Sequence, residues 1–236
     1  MEQSERVAQV IELRARGMTP KHIAKVLGLR RAEVDPIIRA YAARASAVEA
    51  ALVGCWLSSG WSMGLRWDAE AHPGWNDDGA ALDVGGIPSL ASALIAREHR
   101  YDTVSVCGYI VDPHCLGVKN ALGPRRMKRD ALDAFARGYF SAHALGFQPA
   151  PIELARDLVL GAVDYARQLG FEPHPDFTLA RSHLGARQGP SAIEFGYNGE
   201  PFFWQGPHDD VLRVLATLNR SVGRGKFGHM LLEDMM

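Results

Sequence analysis

Apolar positions recur at helical spacing through the N-terminal segment. Val7, Val10 and Ile11 form one stripe, Ile23, Val26 and Leu27 a second, and Val34, Ile37, Ile38 and Tyr41 a third. Residues between the stripes predict where each helix ends. Gly17 can take the positive φ of a residue just past a helix terminus. Thr19 followed by Pro20 is a helix-start pair, because the hydroxyl can accept an early backbone N–H and proline has none to lose there. Ala24 is small where two helices would cross, and Gly28 opens the next turn. T-P-x-x-I-A-x-x-L-G-L between apolar helices therefore predicts a small N-terminal helix-turn-helix, tri-helical domain over residues 1–45. Pro36 lies beyond the first turn of the third helix and predicts a kink.

From residue 46 the periodicity changes. SAVEA (46–50) reads as a helix end or short linker, and ALVGCWL (51–57) as a buried strand. LASALIARE (90–98) and TVSVCGYIV (103–111) read as strands on either side of a polar turn. In the second, Val104, Val106 and Ile110 fall on one face, with Ser105, Cys107, Tyr109 and Val111 on the other. Helices are predicted over 129–144 and 151–169, the latter with a wide face of Ala155, Leu158, Val159, Ala162 and Ala166. AIEF and PFFWQ flank Asn198-Gly199, a tight-hairpin sequence, and a last helix over 209–222 precedes a tail expected to fray. Residues 58–88, with Trp61, Trp67 and Trp75, read as a long loop or insertion. Strands in hairpins and clustered helices predict an α+β domain over 46–236, an antiparallel-sheet body with packed helices rather than a parallel winding.

Charge refines this division. The 236 residues carry 26 Lys+Arg and 27 Asp+Glu, a net −1, which excludes a protein that coats nucleic acid by bulk charge. Divided at residue 45, the head holds nine basic and five acidic residues, or +4, leaving −1 − 4 = −5 for the body. Local contact of the head with DNA is compatible with that balance, and so is docking of a basic head on an acidic body. No apolar run is long enough to span a membrane, the N-terminus mixes both charges, and three cysteines are sparse. These features predict a cytoplasmic chain with free thiols.

Lys21, Lys25, Arg30 and Arg31 are the candidate DNA contacts, the two arginines standing where a recognition helix begins. Asp35 would face phosphate with the wrong sign. In the body, Asp112-Pro-His114-Cys115-Leu-Gly-Val-Lys119 brings carboxylate, imidazole, thiol and amine to a strand end, so Asp112, Cys115 and Lys119 are the candidate catalytic residues. The simpler reading of this segment is a capped strand end with Cys115 in the core. Gly60-Trp-Ser62-Met-Gly64 has the spacing of a nucleophile elbow but lacks the helix that must follow, and reads as a turn. Gly223-Arg-Gly-Lys226 lacks the strand and the Ser/Thr of a phosphate-binding loop. Asp209 reads as a helix cap. No cofactor or metal is expected.

GMTPKHIAKVLGLRRAEVDPIIRAYA, VSVCGYIVDPHCLGVKNALGP, LVLGAVDYARQLGFEPHPDF and IEFGYNGEPFFWQGPHDD resemble, over nearly the whole chain, an uncharacterised family of actinobacterial helix-turn-helix-like proteins. The resemblance implies this two-part layout and a cytoplasmic protein, and it supplies neither a function nor a catalytic residue. The expectation is a DNA-binding, regulator-like protein, with double-stranded DNA and a second copy of the chain as partners and a body that senses a ligand. The alternatives are an enzyme with a pocket around Asp112, Cys115 and Lys119, and a protein-interaction module.

Overall fold

A computed structural model describes residues 3–15, 18–80 and 90–232. The chain divides into two compact units, Met1–Ala50 and Ala51–Met236.

The first unit holds α1 (Gln3–Ala15), α2 (Pro20–Leu27) and α3 (Arg31–Glu49). Gly17, expected to end the first helix, lies outside the described residues. Thr19 caps α2 from extended backbone, its hydroxyl accepting the His22 N–H at 3.3 Å, and Pro20 is the first helical residue. Gly28 closes α2 at φ +64°, a conformation that strains a side chain with a Cβ, while the Leu29 N–H bonds back to Ala24 at 2.9 Å. Val10, Ile23, Ala24 and Val34 form the buried centre, with Leu13, Leu27, Ile37 and Ile38 packed around it. Val26, expected to face inward, is exposed. At 100° per residue, Ile23, Ala24 and Leu27 define the buried arc and Val26 falls well to one side. Tyr41 is also exposed, one turn beyond Ile38. Pro36 sits inside α3, which continues unbroken to Glu49, so residues 46–49 belong to the helix and the head extends past residue 45.

The second unit is built on an antiparallel sheet of β1 (Leu52–Ser58), β2 (Ala91–His99), β3 (Thr103–Asp112), β4 (Gly117–Lys128) and β5 (Phe147–Pro149), in the order β4-β3-β2-β1-β5. A 3-10 turn (Arg129–Ala131) leads into α4 (Leu132–Tyr139), and α5 (Ile152–Gln168) follows β5. Next come α6 (Phe177–Ala180) with a 3-10 turn (Arg181–His183), β6 (Phe202–Trp204), α7 (Val211–Ser221) and β7 (Gly228–Met230). The fold is α+β, as the pattern predicts.

Both sheet faces are covered. Ile95, Cys107, Tyr109 and Val111 pack with Leu154, Leu158 and Ala162 of α5, whereas Ala96, Val104 and Val106 pack with Leu132. The strand periodicity thus sorts alternate residues into two cores, each fully buried Leu or Ile contributing about 1.5–3 kcal/mol. Gly117 opens β4 at φ +69° with Ala166 so near that a Cβ would approach its methyl group to 2.8 Å.

Four expectations are corrected. β4 and β5 had no strand assigned to them. The helix expected over 129–144 stops at Tyr139. Asn198-Gly199 makes its tight turn, both residues at positive φ with Tyr197 bridged to Glu200, but no hairpin ladder grows from it. Phe202–Trp204 instead pairs in parallel with Gly228–Met230, inside the tail expected to fray.

Candidate functional site

The head presents its basic residues from two helices. Lys21 and Lys25 lie one turn apart on α2 and are both exposed. Arg30 immediately precedes α3 and Arg31 is its first residue, with side chains 85% and 68% exposed. Each arginine is paired with a carboxylate of α3. Glu33 accepts both the Arg30 backbone N–H (2.9 Å) and its Nε (3.1 Å), which supplies one of the orphan donors of the helix start with an acceptor. These bonds hold the Glu33 carboxyl below its usual range. Arg31 Nε lies 3.2 Å from Asp35 Oδ2. Asp35 therefore acts on Arg31 directly, rather than only as a repulsive charge on the surface. Both pairs are open to water, where ion pairs contribute about 0–1 kcal/mol and can exchange partners.

The strand end after β3 is organised differently from a catalytic site. The Asp112 carboxylate is buried and accepts three backbone N–H groups, from His114 (2.9 Å), Cys115 (3.1 Å) and Leu116 (3.1 Å). Burial raises its pKa, against the pull of His114 and of those N–H donors. The Cys115 side chain has 0% exposure and sits among Leu169, Phe203, Val214 and Leu218. Burial pushes its thiol far above the ordinary range, and Asp112 adds to the effect. A nucleophilic cysteine needs the opposite environment. Lys119 Nζ lies 2.6 Å from Asp209 Oδ2, with side chains 19% and 11% exposed, and the same oxygen accepts the Gly206 N–H at 2.7 Å. Asp209 is thus the partner of Lys119, and the cap of α7 is Asp210, which accepts the Arg213 N–H at 3.1 Å. The three candidates are neighbours, yet each is engaged in holding the fold: a turn, a core and an ion pair.

His114 completes this picture. It is buried, which depresses its pKa, and its Nε2 lies 2.7 Å from the Met63 carbonyl oxygen. That bond fastens the Gly60–Gly64 turn to the strand end. In the same turn, Asp77 accepts the Gly60 N–H (2.6 Å), the Ser62 N–H (2.9 Å) and the Ser62 hydroxyl (2.7 Å). The Gly-x-Ser-x-Gly segment is a turn held by a carboxylate, and its serine has no histidine partner. Among the described residues no group of three His, Cys, Asp or Glu gathers at metal-binding distance, and no helix is long and apolar enough to cross a membrane.

Sequence reasoning missed a second polar cluster, at the other end of β3. His183 is 4% exposed, with Nε2 3.0 Å from Ser105 Oγ, and its carbonyl oxygen accepts Arg97 Nε at 2.8 Å. Burial, and then the charge of Arg97, lowers the His183 pKa to about 4. Only the alternation that puts Ser105 and Arg97 on an inward face could have hinted at it.

Compared with family models, curated proteins and solved structures, the chain matches none.

Proposed function

We propose that this chain is a DNA-binding, regulator-like protein of the cytoplasm. Its head contacts double-stranded DNA through Lys21, Lys25, Arg30 and Arg31, and its body senses a ligand or joins two copies. The observation that carries the proposal is the surface of α2 and the start of α3. Four exposed cations flank a turn set by the Thr19 cap and the left-handed Gly28, on a tri-helical core closed by Val10, Ile23 and Val34. Exposed arginines at a helix start, held only by solvent-open carboxylates, can exchange those partners for phosphate oxygens.

One small head makes few phosphate contacts, so useful affinity calls for two heads on one duplex, and the active form is a homodimer. The reading of an enzyme centred on Asp112, Cys115 and Lys119 finds no support in a cysteine enclosed by leucine, valine and phenylalanine.

The test is titration of a labelled duplex with the full chain and with the variant carrying K21A, K25A, R30A and R31A. The proposal requires salt-sensitive binding that the variant loses. Equal binding by both chains rejects it.

A further inference from the structure

Arg30 and Arg31 each spend a single side-chain donor on their own helix. Arg30 Nε lies 3.1 Å from Glu33 Oε2, and Arg31 Nε lies 3.2 Å from Asp35 Oδ2. Neither arginine gives a terminal guanidinium nitrogen to another group among the described residues. A guanidinium is a rigid plane with five N–H donors. With Nε held at one edge, the two terminal nitrogens remain as a parallel pair of donors aimed away from the anchor.

The anchors lie beneath the forks. Glu33 and Asp35 are 36% and 26% exposed, against 85% and 68% for their arginines. Glu33 is itself fixed, because it also accepts the Arg30 backbone N–H at 2.9 Å. The α3 surface beside the forks has low relief: Ala32 and Pro36 are exposed and end in a methyl group and a ring. The backbone of α3 can therefore come close to whatever the forks touch.

The two kinds of cation in the head suit different parts of a duplex. The ammonium groups of Lys21 and Lys25 are compact point charges, matched to phosphate. A planar pair of N–H donors matches the O6 and N7 acceptors that guanine presents in the major groove. Phosphate competes with Glu33 and Asp35 for the guanidinium charge. A guanine edge needs only the terminal nitrogens and leaves both Nε contacts in place.

We propose that Arg30 and Arg31 are the residues through which α3 reads sequence, each offering its two terminal nitrogens to O6 and N7 of a guanine in the major groove. The proposal rests on the DNA-binding reading of the head and adds a base preference to it. On a duplex without such guanines the same arginines rest on phosphate, as Lys21 and Lys25 do.

The test begins with selection of bound sequences from a randomised duplex pool by the full chain, which should enrich guanine. Replacing the enriched guanines by 7-deazaguanine removes N7 and keeps the base pairing. Affinity should fall about fivefold or more for each base that an arginine reads. Arg30→Lys/Arg31→Lys keeps both charges without the planar fork. This variant should bind the unselected pool about as tightly as the wild type and lose the preference for guanine. Far-UV circular dichroism verifies that it is folded. Duplex binding without guanine enrichment, indifference to 7-deazaguanine, or a preference that survives in R30K/R31K overturns the proposal and leaves the DNA-binding head standing. Absence of duplex binding by the wild type overturns both.

Discussion

Arg31 Nε lies 3.2 Å from Asp35 Oδ2, one turn further along α3, so a candidate DNA contact is already paired within its own helix. To reach phosphate, the guanidinium must leave that carboxylate or share it. Asp35→Asn removes the competing charge and keeps the side-chain shape. We expect it to raise duplex affinity about two- to fivefold, the scale of one exposed ion pair. Fluorescence anisotropy at fixed salt measures this. Unchanged or weakened binding by D35N would mean that Arg31 does not face the duplex.

Thr19 supplies the side-chain acceptor for the start of α2. Thr19→Ala leaves the His22 N–H without it and should cost about 1 kcal/mol of local stability, whereas Thr19→Ser keeps most of the effect. Hydrogen exchange at the amides of His22 and Ile23 reports the head by itself. Exchange equally fast in the wild type and T19A would show that the cap contributes nothing.

The three cysteines are buried, and burial pushes the thiols of Cys55 and Cys107 up to about 12 and that of Cys115 higher still. Iodoacetamide at pH 8 should leave all three unlabelled in the folded chain and label all three in urea. Cys115→Ser, which places a hydroxyl among apolar side chains, should destabilise the body by roughly 1–3 kcal/mol. Fast labelling of Cys115 in the folded chain would revive the nucleophile reading.

His183 titrates at about 4 in the folded chain against an ordinary 6.5. Below pH 6.5 the unfolded chain takes up this proton while the folded chain does not, so stability falls as pH drops from 6.5 to 4 and then levels off. The shift corresponds to ~3 kcal/mol over that window. Urea unfolding should show this fall in the wild type and a smaller one in His183→Gln. His114 and His143, also depressed by burial, contribute in the same direction to both chains. Identical slopes for the two chains would contradict the assignment.

The parts legible in the sequence are those decided by local chemistry. Thr19-Pro20, Gly28 and the two-residue period of β3 each act through their own backbone or immediate neighbours. β4 is harder to see because GVKNALGPRRMK carries glycines, a proline and few β-branched residues. It is an edge strand whose register slips near Gly123 and Pro124. β5 has only three residues, too few to show a period. Phe202–Trp204 has the right composition for a strand, but its partner lies in the C-terminal tail, where no local turn could announce it. The four head cations are visible because they need only be exposed. The pairing of Lys119 with Asp209 and the seating of His183 on Ser105 are invisible, because folding joins residues 90 and 78 positions apart.

The most direct test of the central claim is the salt dependence of duplex binding. Each phosphate neutralised by a cation lowers log K against log salt by about 0.9. Measured for the full chain and for K21A/K25A/R30A/R31A, the slope should be steeper in the wild type by about 3–4 per head, reflecting the four lost contacts. Equal slopes, or no duplex binding by the wild type at low salt, would contradict a DNA-binding head.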